Sequence, residues 1–201
     1  MKGLNFVIEG IDGAGKTTQA LELVSWLNGK EKNRGFYAKS PCGCSLGEKI
    51  RGLANDPKAS SQVKMIAFLL SNIIFYQEIV IPKITKGQVV VFDRWTGSFI
   101  NYFSLFFNFS RSFLNELHKK LLGDFSADRT FLLDVPVEIA AERLKEKKNL
   151  SKYDTEGPEF MENQRRGFLE LAQEYNWTVI DGSKPASTIK DEIISLINPL
   201  L

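Results

Sequence analysis

Apolar residues in this chain cluster into five short, β-branched or aromatic runs, at residues 4–8, 36–39, 89–92, 130–133 and 178–180. The runs are continuous rather than alternating, the pattern of strands covered on both faces. Between them, apolar positions recur at helical spacing over roughly 16–27, 60–84, 98–122 with a break near Phe109, 137–148, 158–175 and 186–197. This alternation predicts an α/β fold: a five-stranded parallel sheet, right-handed crossover helices on both faces, and ligands at the carboxyl ends of the strands.

Composition narrows the class. With 201 residues, 43% hydrophobic and 25% charged, the chain matches ordinary globular usage, and a single domain over 1–201 is expected. Lysine and arginine total 26 against 24 acidic residues, a charge of +2, so neither nucleic acid nor a membrane surface is expected as a partner. Cys42 and Cys44 sit one residue apart, too strained for an ordinary disulfide, which points to a reducing cytoplasm. A lone histidine, His118, argues against a His-rich metal centre and leaves a Ser-His-Asp hydrolase one candidate base. The first apolar run ends at Glu9, short of a signal-peptide core. The most apolar later stretch, 65–82, is interrupted by Ser71, Asn72, Gln77 and Glu78, so no segment is expected to supply the about 20 apolar residues that span a bilayer.

The chemistry starts at the end of the first strand. Gly10, Ile11, Asp12, Gly13, Ala14, Gly15, Lys16 and Thr17, with Thr18 following, fit G-x-x-x-x-G-K-[ST] between a strand and a helix pattern. Glycines let successive N–H groups turn inward onto phosphate oxygens, while Lys16 brings a point charge to the β- and γ-phosphates. Thr17 offers a hydroxyl to Mg²⁺, and the helix amino terminus adds its partial positive charge. The motif implies a three-layer P-loop NTPase fold binding ATP or a similar triphosphate with Mg²⁺.

A second strand, 89–92, delivers Asp93 and Arg94 at its carboxyl end, where that fold places its nucleotide. Asp93 suits a water-mediated Mg²⁺ contact, and Arg94 a two-pronged grip on phosphoryl oxygens. A structural ion pair between the two is the alternative. Asp134, closing the next strand, reads as structural. The charge cluster over 142–148, running on to Lys152, fits a solvated helix face or a mobile loop.

Four stretches, in order over nearly the whole chain, resemble the thymidylate kinase family, P-loop nucleoside monophosphate kinases that move the γ-phosphoryl of ATP to dTMP. They are 6–19 around the phosphate loop, Ser45-Leu46-Gly47-Glu48-Lys49-Ile50-Arg51, Phe92-Asp93-Arg94-Trp95, and 160–163 with 168–172. The resemblance implies that Asp12 meets the sugar 3′-hydroxyl of the acceptor and that Arg51 holds the acceptor phosphate. It further implies that Phe68 stacks on the base, that Ser98 contributes to the acceptor site, and that Tyr102 closes over the nucleotide. A lid over approximately 143–156 would carry the catalytic cation, Lys147 or Lys152, with Arg143 at its hinge, because Gly13 and Ala14 leave the loop without a basic residue. The resemblance leaves a homodimer open.

The chain also departs from the family. Ser71-Asn72 stands where the family has Asp-Arg, putting Asn72 in place of an arginine that reads the base. Ser98-Phe99 and Tyr102-Phe103 stand for Ser-Ser and Tyr-Gln, and 39–44 lacks the acid and one glycine of R-E-P-G-G-T. Phosphate-handling positions are mostly kept and base-reading ones mostly changed. Three rivals therefore stand beside a dTMP kinase: a kinase for another nucleoside monophosphate, a nucleotide-binding protein with a degenerate acceptor site, and a GTPase switch. The last is disfavoured because its echoes at 151–157 overlap and come in the wrong order.

Overall fold

A computed structural model describes residues 3–40, 45–123, 127–145 and 157–201. All five expected strands form: β1 (Leu4–Glu9), β2 (Gly35–Lys39), β3 (Val89–Asp93), β4 (Arg129–Asp134) and β5 (Thr178–Asp181). They pair in parallel in the order β2-β3-β1-β4-β5. Because side chains alternate along a strand, each apolar run feeds two cores. Phe6, Ile8 and Val91 pack with Leu23 and Leu27 of α1 (Lys16–Lys30) and with α7 (Val137–Lys145), α8 (Pro158–Glu174) and α9 (Ala186–Ile197). Val7, Val90 and Phe92 face the other way, onto α3 (Ser61–Phe75), α5 (Thr96–Phe107) and α6 (Arg111–Leu122). The result is the expected three-layer arrangement.

Three local departures have physical causes. Residues 45–55 form a helix, α2 (Ser45–Asn55), absent from the expected elements: Leu46, Ile50, Leu53 and Ala54 recur at helical spacing, but Gly47 and Gly52 weaken its propensity. It is held from outside, Ser71 Oγ donating to the Gly47 carbonyl at 3.2 Å. The helix expected over 60–84 widens into a π-turn (Tyr76–Val80) before its last segment, α4 (Ile81–Thr85), where Pro82 has no N–H to donate. Thirdly, Ser61–Thr85 is, by length and composition alone, long and apolar enough to cross a membrane. This corrects the expectation that no segment qualifies. Its polar residues Ser71 and Asn72 are buried within the fold, alongside Met65, Leu69 and Phe75 of the second core. The break near Phe109 falls where expected: Asn108 takes a left-handed conformation and Ser110 caps α6, accepting from the Phe113 N–H at 3.2 Å.

Candidate functional site

β1 ends on a fully buried carboxylate, Glu9, and the chain then turns through the Gly10–Gly15 loop into α1. Gly13 (φ 83°) and Gly15 (φ 92°) occupy conformations that side chains resist. At Gly13 a Cβ would lie 2.3 Å from the Ala140 carbonyl oxygen, so the loop seats against α7 only because none is there. At Gly15 the same position meets nothing within 4 Å, an open hollow beside the first N–H groups of α1. Thr17 and Thr18 are exposed in that first turn. Lys16 is only 6% exposed and donates to the Ile11 carbonyl at 2.6 Å. Burial and the neighbouring Arg94 guanidinium push the Lys16 ammonium down to about 8, against the pull of Asp12, Asp93 and Glu9.

β3 lies beside β1 with Asp93 opposite Ile8, and this register brings the second motif to the loop. Arg94 leaves the strand at φ 72°, a left-handed conformation costing roughly 1–3 kcal/mol for a non-glycine residue. The turn aims its guanidinium back at the loop. Nη1 donates to the Gly10 carbonyl and to Ser98 Oγ, both at 3.0 Å, and Nη2 to Asp12 Oδ1 at 2.5 Å. Burial opposes its charge, yet Asp12, Glu9 and Asp93 together hold the Arg94 pKa above its ordinary value. Lys16 Nζ stands 3.8 Å from the same Asp12 oxygen. Asp93 does not pair with Arg94: its Oδ2 accepts from Thr17 Oγ1 at 2.5 Å and from the Tyr37 hydroxyl at 3.0 Å.

Glu9 holds the turn in place. Its Oε1 accepts from the N–H groups of Trp95 (2.8 Å) and Ser98 (3.1 Å), and its Oε2 from Ser98 Oγ (2.6 Å). It thereby caps α5, whose own N-cap residue offers no side-chain acceptor. Burial raises the Glu9 pKa, opposed by the Ser98 hydroxyl, Arg94 and the two N–H donors. Gly97 makes the approach possible, since a Cβ there would fall 2.3 Å from the Trp177 ring and 3.0 Å from Glu9 Oε1.

Asp12, Lys16, Thr17, Asp93, Arg94 and Ser98 thus form one connected group at the carboxyl ends of β1 and β3. Of the expected acceptor residues, Ser98 belongs to this group. Ser98 is the bridge between Glu9 and Arg94, and Phe68, half-buried on α3, stacks on Phe99 with ring centres 5.8 Å apart. Tyr102 packs against Phe103 and Phe106. Asn72 is fully buried, its Oδ1 accepting from Ser40 Oγ at 2.8 Å, and its Nδ2 has no hydrogen-bond partner among the described residues. Ser40 follows Lys39, which lies opposite Asp93, so this pair sits at the same sheet edge as the loop. Arg51 falls on α2, with its side chain outside the described residues. Lys147, Lys152 and the expected lid beyond Lys145 lie outside them too, as do Cys42 and Cys44. Arg143 is described: Nη1 donates to the Gly182 carbonyl at 2.9 Å and approaches the Gly13 carbonyl at 3.5 Å. Asp134 is structural as expected, gripped by Arg165 at 2.7 and 2.9 Å.

The group fits a triphosphate and its metal. Gly15 leaves room where phosphate oxygens would enter, two cations flank it, and the Thr17–Asp93 pair offers hydroxyl and carboxylate oxygens. Among the described residues no cluster of three His, Cys, Asp or Glu side chains could bind a metal alone. The Thr17 hydroxyl and the Asp93 carboxylate are oxygen donors of the kind Mg²⁺ takes, which characteristically uses one or two protein oxygens and completes its shell with phosphates and water.

Comparison with known proteins bears directly on this arrangement. The family model described as Thymidylate kinase matches residues 8–193. The chain belongs to the thymidylate kinase family. A thymidylate kinase of Fervidobacterium nodosum is 34% identical over 200 residues, covering 96% of this chain and 98% of that protein. One of Chlamydia trachomatis serovar D is 33% identical over 201 residues, covering 97% and 98%. The crystal structure of thymidylate kinase from Ehrlichia chaffeensis superposes with a TM-score of 0.78 over 98% of this chain and 99% of that one, at 23% identity, a likeness of fold.

Three residues that support this group or lie near it escaped sequence reasoning. Glu9 and Ser40 lie in quoted segments but have no signal of their own beyond a polar residue at a strand end. Tyr37 sits mid-strand, where an aromatic residue ordinarily means packing.

Proposed function

We propose that this chain transfers the γ-phosphoryl group of ATP to dTMP, giving dTDP and ADP, as one kinase domain. The observation that carries the reading is the Asp12–Arg94–Lys16 cluster: two cations and one carboxylate at the mouth of a phosphate loop, in a member of this family. The loop N–H groups and Lys16 hold the β- and γ-phosphates. Asp12 accepts from the sugar 3′-hydroxyl of the acceptor, and Arg94 and Arg51 draw the acceptor phosphate into line with the γ-phosphorus. An acceptor phosphate oxygen bonds to that phosphorus as its bond to the bridging oxygen of ADP breaks. No side chain becomes covalently attached, so catalysis is positioning plus charge neutralisation. Thr17 and, through water, Asp93 would hold Mg²⁺, which when bound neutralises charge on the β- and γ-oxygens.

Asn72 favours a second reading of the acceptor, broader than dTMP. With Oδ1 committed to Ser40, the buried amide has only its N–H₂ donor left to offer, which, once uncovered on acceptor binding, would match any base carrying a carbonyl at that edge. ADP release with ATP, Mg²⁺ and each of dTMP, dUMP, dCMP, dGMP and dAMP tests both readings. The first expects the highest kcat/KM with dTMP. Equal or higher values with a different carbonyl-bearing base would favour the second.

A further inference from the structure

The metal side of the loop has a member that neither the phosphate-loop motif nor the strand-end acid calls for. Tyr37 lies opposite Val91 in the sheet, yet its hydroxyl reaches along the ladder to Asp93, two residues further on. There it donates to Oδ2, the same oxygen that accepts from Thr17. Two hydroxyls converging on one carboxylate oxygen fix the rotamer of Asp93, which is 2% exposed, and leave Oδ1 to carry its remaining acceptor capacity. The Thr17 proton is likewise committed to Asp93, so the lone pairs of its oxygen are the part offered outward.

We propose that Tyr37 is a positioning residue for the metal-bound nucleotide: by holding Asp93 through Oδ2 it sets how strongly the site prefers Mg²⁺-bound over metal-free ATP. The inference rests on the reading of Thr17 and Asp93 as the metal side. A purely structural Tyr37 predicts something different. A phenylalanine fills nearly the same space, so loss of the hydroxyl would then leave the metal preference untouched.

The test uses a fluorescent ATP analogue titrated into the protein, once in EDTA and once in saturating Mg²⁺. The ratio of the two dissociation constants is the contribution of the metal. For Tyr37→Phe the EDTA constant should stay within about twofold, while the ratio falls about tenfold, the usual cost of losing a group that orients a metal contact. In an Asp93→Asn background, adding Tyr37→Phe should change the ratio no further, because the tyrosine acts through that carboxylate. An unchanged ratio, an equal loss in EDTA and Mg²⁺, or a full effect in the Asp93→Asn background would each overturn the proposal. A wild-type ratio near one would instead remove the metal reading of Thr17 and Asp93 itself.

Discussion

Arg94 and Asp12, 82 positions apart in the chain, meet as an ion pair at 2.5 Å across the mouth of the phosphate loop. An acid beside phosphates is costly unless it is partnered. Here Arg94 and, at 3.8 Å, Lys16 are the partners. Asp12→Asn should therefore have two opposite effects. Binding of inorganic pyrophosphate should tighten, since two cations lose their counter-charge. The kcat/KM for dTMP should fall about ten- to a hundredfold, the scale of a lost hydrogen bond to a charged acceptor. Isothermal titration and steady-state kinetics read the two separately, and a fall in both would place Asp12 among purely structural residues.

Lys16 gives a pH signature. Its ammonium, pushed down to about 8 by burial and Arg94, binds phosphate only when protonated. Above that pH, ATP binding must take a proton from solvent, so affinity should weaken toward tenfold per unit as pH rises past 8. Lys16→Ala should lose at least about 10²-fold in kcat, unfold cooperatively as the wild type does, and lack this pH dependence. Retention of the same slope would assign it to another group.

Base selection should follow the Ser40–Asn72 pair. A donor matched to a base carbonyl and mismatched to an amino group discriminates by about ten- to a hundredfold, so dTMP and dUMP should exceed dCMP by that factor in kcat/KM. The thymine methyl group is not read by this pair, and dTMP over dUMP should remain below ~10³-fold. Ser40→Ala frees the amide to rotate and should lower the preference over dCMP. Were Ser40→Ala to leave that preference intact, other residues would be reading the edge.

His118 makes stability acid-sensitive. It is 3% exposed, near Thr96 Oγ1 and edge-on to Trp95, and burial lowers its pKa to about 4. The folded state thus favours the neutral ring, a contribution fully present above the unfolded value near 6.5 and lost as pH falls toward 4. The loss should amount to something on the order of 3 kcal/mol. The raised pKa of Glu9 works in the opposite sense, so the readout is a difference: denaturant unfolding of His118→Gln should lose less stability than wild type between pH 6.5 and 4. Parallel losses would contradict the assignment.

The strands and the phosphate loop are legible in the sequence because their signals are local: continuous apolar runs and fixed glycine spacing. α2 carries a local signal too, Leu46, Ile50, Leu53 and Ala54 at helical spacing, but Gly47 and Gly52 interrupt it and the helix leans on α3 through Ser71. The chemistry divides along the same line. Asp93 and Arg94 are readable as a strand-end pair, but their partners are not. The left-handed turn at Arg94 separates them, sending Arg94 to Asp12 and leaving Asp93 to Thr17 and Tyr37. Glu9, Tyr37 and Ser40 act through contacts 32 to 89 positions away, which no local spacing encodes.

The central claim is that the phosphate loop and the Arg94–Asp12 pair serve phosphoryl transfer between nucleotides. ATP labelled at the γ-phosphorus, incubated with Mg²⁺, dTMP and the protein, tests it most directly. The label should pass to dTDP in step with ADP formation, and Arg94→Lys should slow that passage at least about 10²-fold while leaving ATP affinity little changed. Label recovered as inorganic phosphate, or ATP bound without transfer to any monophosphate, would contradict the account.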